Sequence, residues 1–272
     1  MGARRRGVKA DRASGQDRQA GICDAKGRPA RPNSRAPWCL PRQDIKTRMK
    51  PWQTIERVDT PEGRLELRRR GERDFLITIA GRVLMTSAAH RSEDDLARLA
   101  CAAMVSRPRP RVLLGGLGMG YTLRAALDLL PPAAEVTVVD LNPAVVAWCQ
   151  GPLAALTDGA VSDRRVAIEI GDVAGVIVAA RSGDYDAILL DLYEGPRPTR
   201  GRPMPDPLYG APAVDSAWSA LRAGGVLAVW AEEAETAYEA RLRHAGFIVD
   251  VHRGGGRGGR AHVVYIGVRP GA

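Results

Sequence analysis

The chain has 272 residues, is 45% apolar and 26% charged, and carries a formal net charge of +9, a balance that supports a packed core and excludes wholesale disorder. The charge excess is local: residues 1–50 hold 14 Lys/Arg against 4 Asp/Glu, whereas residues 51–272 hold 26 basic and 27 acidic side chains, which argues against nucleic-acid binding by the body of the chain. No apolar run reaches the roughly 18–20 residues that cross a bilayer, and four scattered cysteines (Cys23, Cys39, Cys101, Cys149) exclude a zinc ribbon and point to a reducing cytosol rather than a disulfide scaffold.

Residues 1–48 read as a disordered basic extension without helical or strand periodicity. Arg6 breaks the myristoylation pattern, and no apolar stretch follows Arg4–Arg6 to make a secretion signal. All four lysines lie at or before Lys50, so the expectation is that Met49 is the native initiator. The alternative is a basic arm that binds nucleic acid or an acidic partner. Residues 49–90 then predict a small antiparallel β-module. Leu65 and Leu67 alternate with charges, Asp74–Ile79 and Arg82–Met85 are further strands, and Gly71–Arg73 and Ala80–Gly81 are turns. Residues 91–110 predict a linking helix: Ser92 is the expected N-cap, with Leu96, Leu99, Ala100, Ala103 and Met104 on one face.

From residue 111 to 272 short apolar strands alternate with helices. The strands are Val112–Leu114, Val136–Val139, Val166–Ile170, Ala187–Leu190, Val226–Trp230, Phe247–Val251 and Val263–Val268. The helices are Tyr121–Leu130, Pro143–Cys149, Val173–Ala180, Ala213–Leu221 and Ala234–Ala245. This pattern predicts an α/β, doubly wound, mostly parallel seven-stranded sheet of the class I methyltransferase or Rossmann-like kind, ending in an antiparallel hairpin. The isolated histidines His90, His244, His252 and His262 are expected in structural or surface roles, and Trp148, Trp218 and Trp230 in the core.

The chemistry is expected at the carboxyl ends of the strands. Gly115, Gly116, Gly118 and Gly120 follow the first strand and open a helix, which is either a nucleotide-cradling loop or a plain tight turn. Asp140 ends the second strand 20 residues past Gly120, where an acid either accepts from ribose hydroxyls or finishes a turn. Asp172 after the third strand either meets a purine amino group or caps the next helix. Leu141 and Val173, next to these acids, join the candidate nucleoside-binding set. Asp191 ends the fourth strand, and with Tyr193 and Glu194 it makes the candidate catalytic loop, whose acids either serve an amine or cap a turn.

From Arg64 to Val268 these motifs resemble the spermidine synthase (polyamine aminopropyltransferase) family, within the S-adenosylmethionine-dependent methyltransferase fold. The family's glycine loop is matched by Gly115–Gly120, its ribose acid by Asp140, its adenine-side Gly-Asp by Gly171-Asp172, and its Asp-x-x-Asp loop by Asp191-Leu-Tyr-Glu194. The resemblance implies S-adenosylmethionine or its decarboxylated form as co-substrate, without a metal, and an amine acceptor. It also implies Asp191 as the base, with Asp191 near the nucleoside, Glu194 as an amine ligand, a cytoplasmic enzyme and a homodimer. Gly118 stands where the family usually carries an Asp, and Ser92–Asp95 where it carries Tyr-His/Gln-Glu. Two other readings stay open: a methyltransferase of a small molecule, and a non-catalytic nucleoside-binding protein.

Overall fold

The computed structural model describes residues 50–193, 195–196, 206–255 and 261–271. The basic extension, Met49, Glu194 and most of the loop expected at Gly254–Arg260 lie outside them.

The first four strands are β1 (Gln53–Thr60), β2 (Gly63–Arg70), β3 (Asp74–Ile79) and β4 (Arg82–Thr86), an antiparallel sheet in that order. Leu65, Leu67, Phe75, Ile77 and Ile79 are buried on one face, as period-two alternation requires. The β3–β4 connection is two residues, Ala80 (φ 47°) and Gly81 (φ 77°), and left-handed backbone at both central positions matches the twist of a tight hairpin. The sequence pattern does not predict β1.

Helix α1 (Arg91–Cys101) follows. Its N-cap is His90, without a side-chain capping bond, which corrects the expectation for Ser92. The helix starts one residue earlier, so Ser92 sits inside the first turn and its hydroxyl donates to the Glu93 carboxylate instead. Leu96, Ala97, Ala100 and Cys101 face the core, and so does Glu93.

The second sheet contains β5 (Arg111–Gly115), β6 (Glu135–Asp140), β7 (Val166–Ile170), β8 (Tyr185–Leu190), β9 (Leu221–Ala231), β10 (Ile248–Gly254) and β11 (His262–Val268). Its order is β10-β11-β9-β8-β5-β6-β7. The five strands from β5 to β9 are parallel, and β11 runs antiparallel to both β9 and β10. Connecting helices are α2 (Tyr121–Leu129), α3 (Pro143–Gln150), α4 (Val173–Ala179), α5 (Asp206–Tyr209), α6 (Ala211–Ala220) and α7 (Thr236–His244).

Alternate residues of the central strands feed two cores. Val112, Leu114, Ala187, Leu189, Val226 and Ala228 pack with α1, α2 and the four-stranded sheet. Leu113, Ile188, Leu190, Leu227 and Val229 pack with α4, α6 and α7. Both faces of the sheet are therefore covered, which explains the continuous apolar runs. Leu221, expected to end a helix, instead opens β9 with ψ 145°. An apolar residue at that point satisfies the helical period and the strand core equally, and pairing with Tyr185 decides for the strand.

Trp148 is buried, whereas Trp218 and Trp230 are only partly so. At the amino end of β8, buried Asp186 (1% exposed) takes Arg107 on one oxygen, and the Arg111 backbone N–H (2.8 Å) and Arg222 (3.2 Å) on the other. This fastens α1's exit segment to the sheet. The strand order reverses between β5 and β8, so the crevice at their carboxyl ends is the topological switch point.

Candidate active site

Gly115–Gly120 runs from β5 into α2 across this crevice. A Cβ on Gly116 (φ +86°) would lie 2.2 Å from the carbonyl oxygen of Asp191, so the chain's own backbone occupies the space a side chain would need. Asp191 N–H donates to the Gly115 carbonyl (2.9 Å), which locks the ends of β5 and β8 together. A Cβ on Gly118 would meet Met85 Sδ at 3.0 Å. That thioether accepts from Met119 N–H (3.1 Å), and the Cys149 thiol donates to the Gly118 carbonyl (3.4 Å). The loop is thus held from β4 on one side and α3 on the other.

Asp140 reaches the loop from β6. Its Oδ2 accepts from Leu117 N–H (2.9 Å) and its Oδ1 from Asn142 N–H (2.8 Å). Burial pushes this carboxyl up, and the N–H groups of Asn142, Leu117 and Gly118 pull it back. Each carboxylate oxygen has lone-pair capacity beyond these bonds, so the acid can accept from a ligand hydroxyl while holding the loop. Leu141 beside it is 57% exposed, an apolar face free to be covered by a flat ring. Asp172 is exposed and caps α4 through Ala174 N–H (2.9 Å), so it does at least the local task. Val173 is buried beneath Gly115, 2.9 Å from where that residue's Cβ would be, and supports the loop from below. Glycine backbone, a ribose-type acceptor and an exposed apolar platform at a helix start fit a nucleoside.

Asp191 lies at the end of β8 on the α1–α2 side. It accepts from the Thr122 hydroxyl of α2. Burial, then the charge of Glu93, push its carboxyl up to about 7, against the opposing pull of Thr122. Tyr193 is 47% exposed, with the Arg82 guanidinium of β4 5.4 Å from its ring centre. The four-stranded sheet thereby touches the loop that carries the base. The loop, Asp140 and Asp191 come together as expected; Glu194, expected beside Asp191, falls outside the described residues. Sequence reasoning missed Met85, Thr122 and Glu93. Among the described residues no group of His, Cys, Asp or Glu is arranged to hold a metal ion, and no helix is long and apolar enough to cross a membrane.

No family model matches the chain. Over 128 residues, 47% of this chain, it is 33% identical to putrescine N-methyltransferase 3 of Nicotiana tabacum and covers 32% of that protein. Over a stretch of the same length it is 32% identical to putrescine N-methyltransferase 1 of Nicotiana attenuata and covers 31% of it. The match thus spans about a third of these curated relatives' length. Among solved structures, the spermidine synthase of Thermotoga maritima aligns with a TM-score of 0.62 at 18% identity, over 80% of this chain and 73% of that one. A probable spermidine synthase of Corynebacterium glutamicum aligns with a TM-score of 0.55 at 17% identity, over 79% of each. The chain therefore has the class I methyltransferase fold preceded by a four-stranded antiparallel sheet, the fold it shares with spermidine synthases of solved structure.

Proposed function

We propose that this chain transfers a carbon group from an S-adenosylmethionine-type sulfonium nucleoside to the nitrogen of an amine acceptor. The observation that carries this is Asp191: a carboxyl raised to about 7, at the switch point and one hydrogen bond from the glycine loop. A base with that affinity exists in both protonation states near neutral pH, the condition for efficient proton transfer. Asp140 holds the ribose, Leu141 covers the ring, Asp172 offers its remaining oxygen to the purine amino group, and the loop fixes the chain of the nucleoside. Asp191 removes a proton from the acceptor nitrogen. Spermidine synthases among the solved likenesses and putrescine N-methyltransferases among the curated ones support an amine acceptor.

Methyl transfer from S-adenosylmethionine is the second reading, favoured by the Gly118–Met85 contact. It leaves a thioether, not a carboxylate, beside that part of the loop, so a cationic aminopropyl tail finds no counter-charge there. Incubation with putrescine and either S-adenosylmethionine or its decarboxylated form, followed by mass spectrometry of the amine, tests both. Transfer to the amine from either donor supports the proposal and names the group. Nucleoside binding without transfer from either donor overturns it.

A further inference from the structure

Glu93 has no part in the reaction described so far, yet it is 6% exposed, an unusual fate for an acid in the first turn of a helix. The neighbouring acids of α1 have cationic partners: Asp94 meets His90 (3.0 Å), and Asp95 meets Arg98 (3.0 Å) and His262 (3.5 Å). Among the described residues Glu93 has only the Ser92 hydroxyl. Helix α1 packs on α2, β8, β9 and β11, which brings Glu93 to the side of the sheet that carries Asp191. The field of Glu93 reaches Asp191 strongly enough to raise it.

A further observation lies on the neighbouring strand. Trp230 follows Val229, the register partner of Leu190, and it packs into the core on the α1 side. Its indole N–H is buried and has no hydrogen-bond partner among the described residues. A buried donor without a partner costs about 1–3 kcal/mol. Two carboxylates and an unfilled donor at adjacent strand ends, with no cation among them, form a receptor for a polar, positively charged ligand.

We propose that Glu93 is the ammonium-binding residue of the acceptor site, holding the reacting nitrogen against Asp191 through a charge-assisted bond. This rests on the amine-transfer reading above and adds the residue that selects a cation. The acceptor enters as an ammonium ion between the two carboxylates, and one proton passes to Asp191. The freed nitrogen lone pair forms the new N–C bond while the S–C bond of the sulfonium donor breaks, its electron pair staying on sulfur as a neutral thioether. Nitrogen ends the step as a substituted ammonium, and its positive charge, growing through the transition state, remains opposite Glu93.

The test uses the full chain with putrescine as probe and S-adenosylmethionine as donor, comparing wild type, Glu93→Gln and Glu93→Asp. Glu93→Gln keeps the shape and removes the charge. It should weaken putrescine binding, measured calorimetrically with the nucleoside present, by about 10- to 100-fold, the worth of one charge-assisted bond. Nucleoside affinity and melting temperature should stay close to wild type, and Glu93→Asp should restore part of the amine affinity. Putrescine affinity within twofold of wild type in Glu93→Gln overturns the role of Glu93 alone. Equal loss of amine and nucleoside binding in both variants also overturns it, because that marks a structural residue. A wild-type chain that binds the nucleoside and no amine overturns the amine reading itself.

Discussion

Replacing Asp191 by Asn separates catalysis from stability at one position. The carboxyl moves from 3.8 to about 7 on folding, and each unit corresponds to about 1.4 kcal/mol, so holding it ionised in the folded chain costs roughly 4 kcal/mol at most. The sign follows from proton binding. Between about pH 4 and 7 the folded state keeps a proton that the unfolded state has released, so stability is complete below pH 4 and declines as pH rises through 7. The amide of the Asp191→Asn variant is neutral throughout and still accepts from Thr122. The variant should match wild type in urea unfolding near pH 4 and exceed it by about 2–4 kcal/mol at pH 8. Turnover should fall by about 10²–10⁴ with nucleoside affinity nearly unchanged. A stability difference that is the same at both pH values would refute the burial argument, and matched losses in turnover and nucleoside affinity would make Asp191 a binding residue.

Asp140→Ala removes the candidate ribose acceptor and the partner of two loop N–H groups. Calorimetric nucleoside affinity should drop at least about 10-fold, and a change of less than a few fold would exclude Asp140 from the site. Gly116→Ala puts a Cβ 2.2 Å from the Asp191 carbonyl oxygen at φ +86°; thermal unfolding should show a loss of more than about 2 kcal/mol, since backbone on both sides must shift. Asp186→Ala leaves Arg107, Arg222 and the Arg111 N–H without their acceptor, and chemical denaturation should register a cost of about 3 kcal/mol with little change in nucleoside affinity.

The sequence exposes most of the second sheet because its strands are buried on two faces and read as unbroken apolar runs. It hides β1 for the opposite reason. Gln53–Thr60 is an edge strand with most residues exposed, so its only strong instruction to extend comes from pairing with β2. The acids at strand ends are legible as well, since Asp140 and Asp191 break apolar runs at fixed points. Glu93 and Thr122 are not. An acid in the first turn of a helix is ordinary on composition, and only the packing of α1 on the sheet turns it inward. Thr122 sits in a helical pattern where a hydroxyl carries no periodic signal, and its partner Asp191 is 69 residues away. Met85 reads as a strand residue, and its meeting with Gly118 is a tertiary event.

The tight fit around Gly115 and Gly116 changes what a glycine-rich loop can report about a chain of this shape. At both positions a side chain would strike the protein itself, Val173 and Leu190 at Gly115 and the Asp191 carbonyl at Gly116. A descendant that abandoned chemistry would still need those two glycines to close its sheet. A glycine pair therefore diagnoses ancestry and architecture, and it is blind to the gain or loss of turnover. The positions that should drift first in such a descendant are the ones the scaffold does not require: the carboxylates facing the crevice.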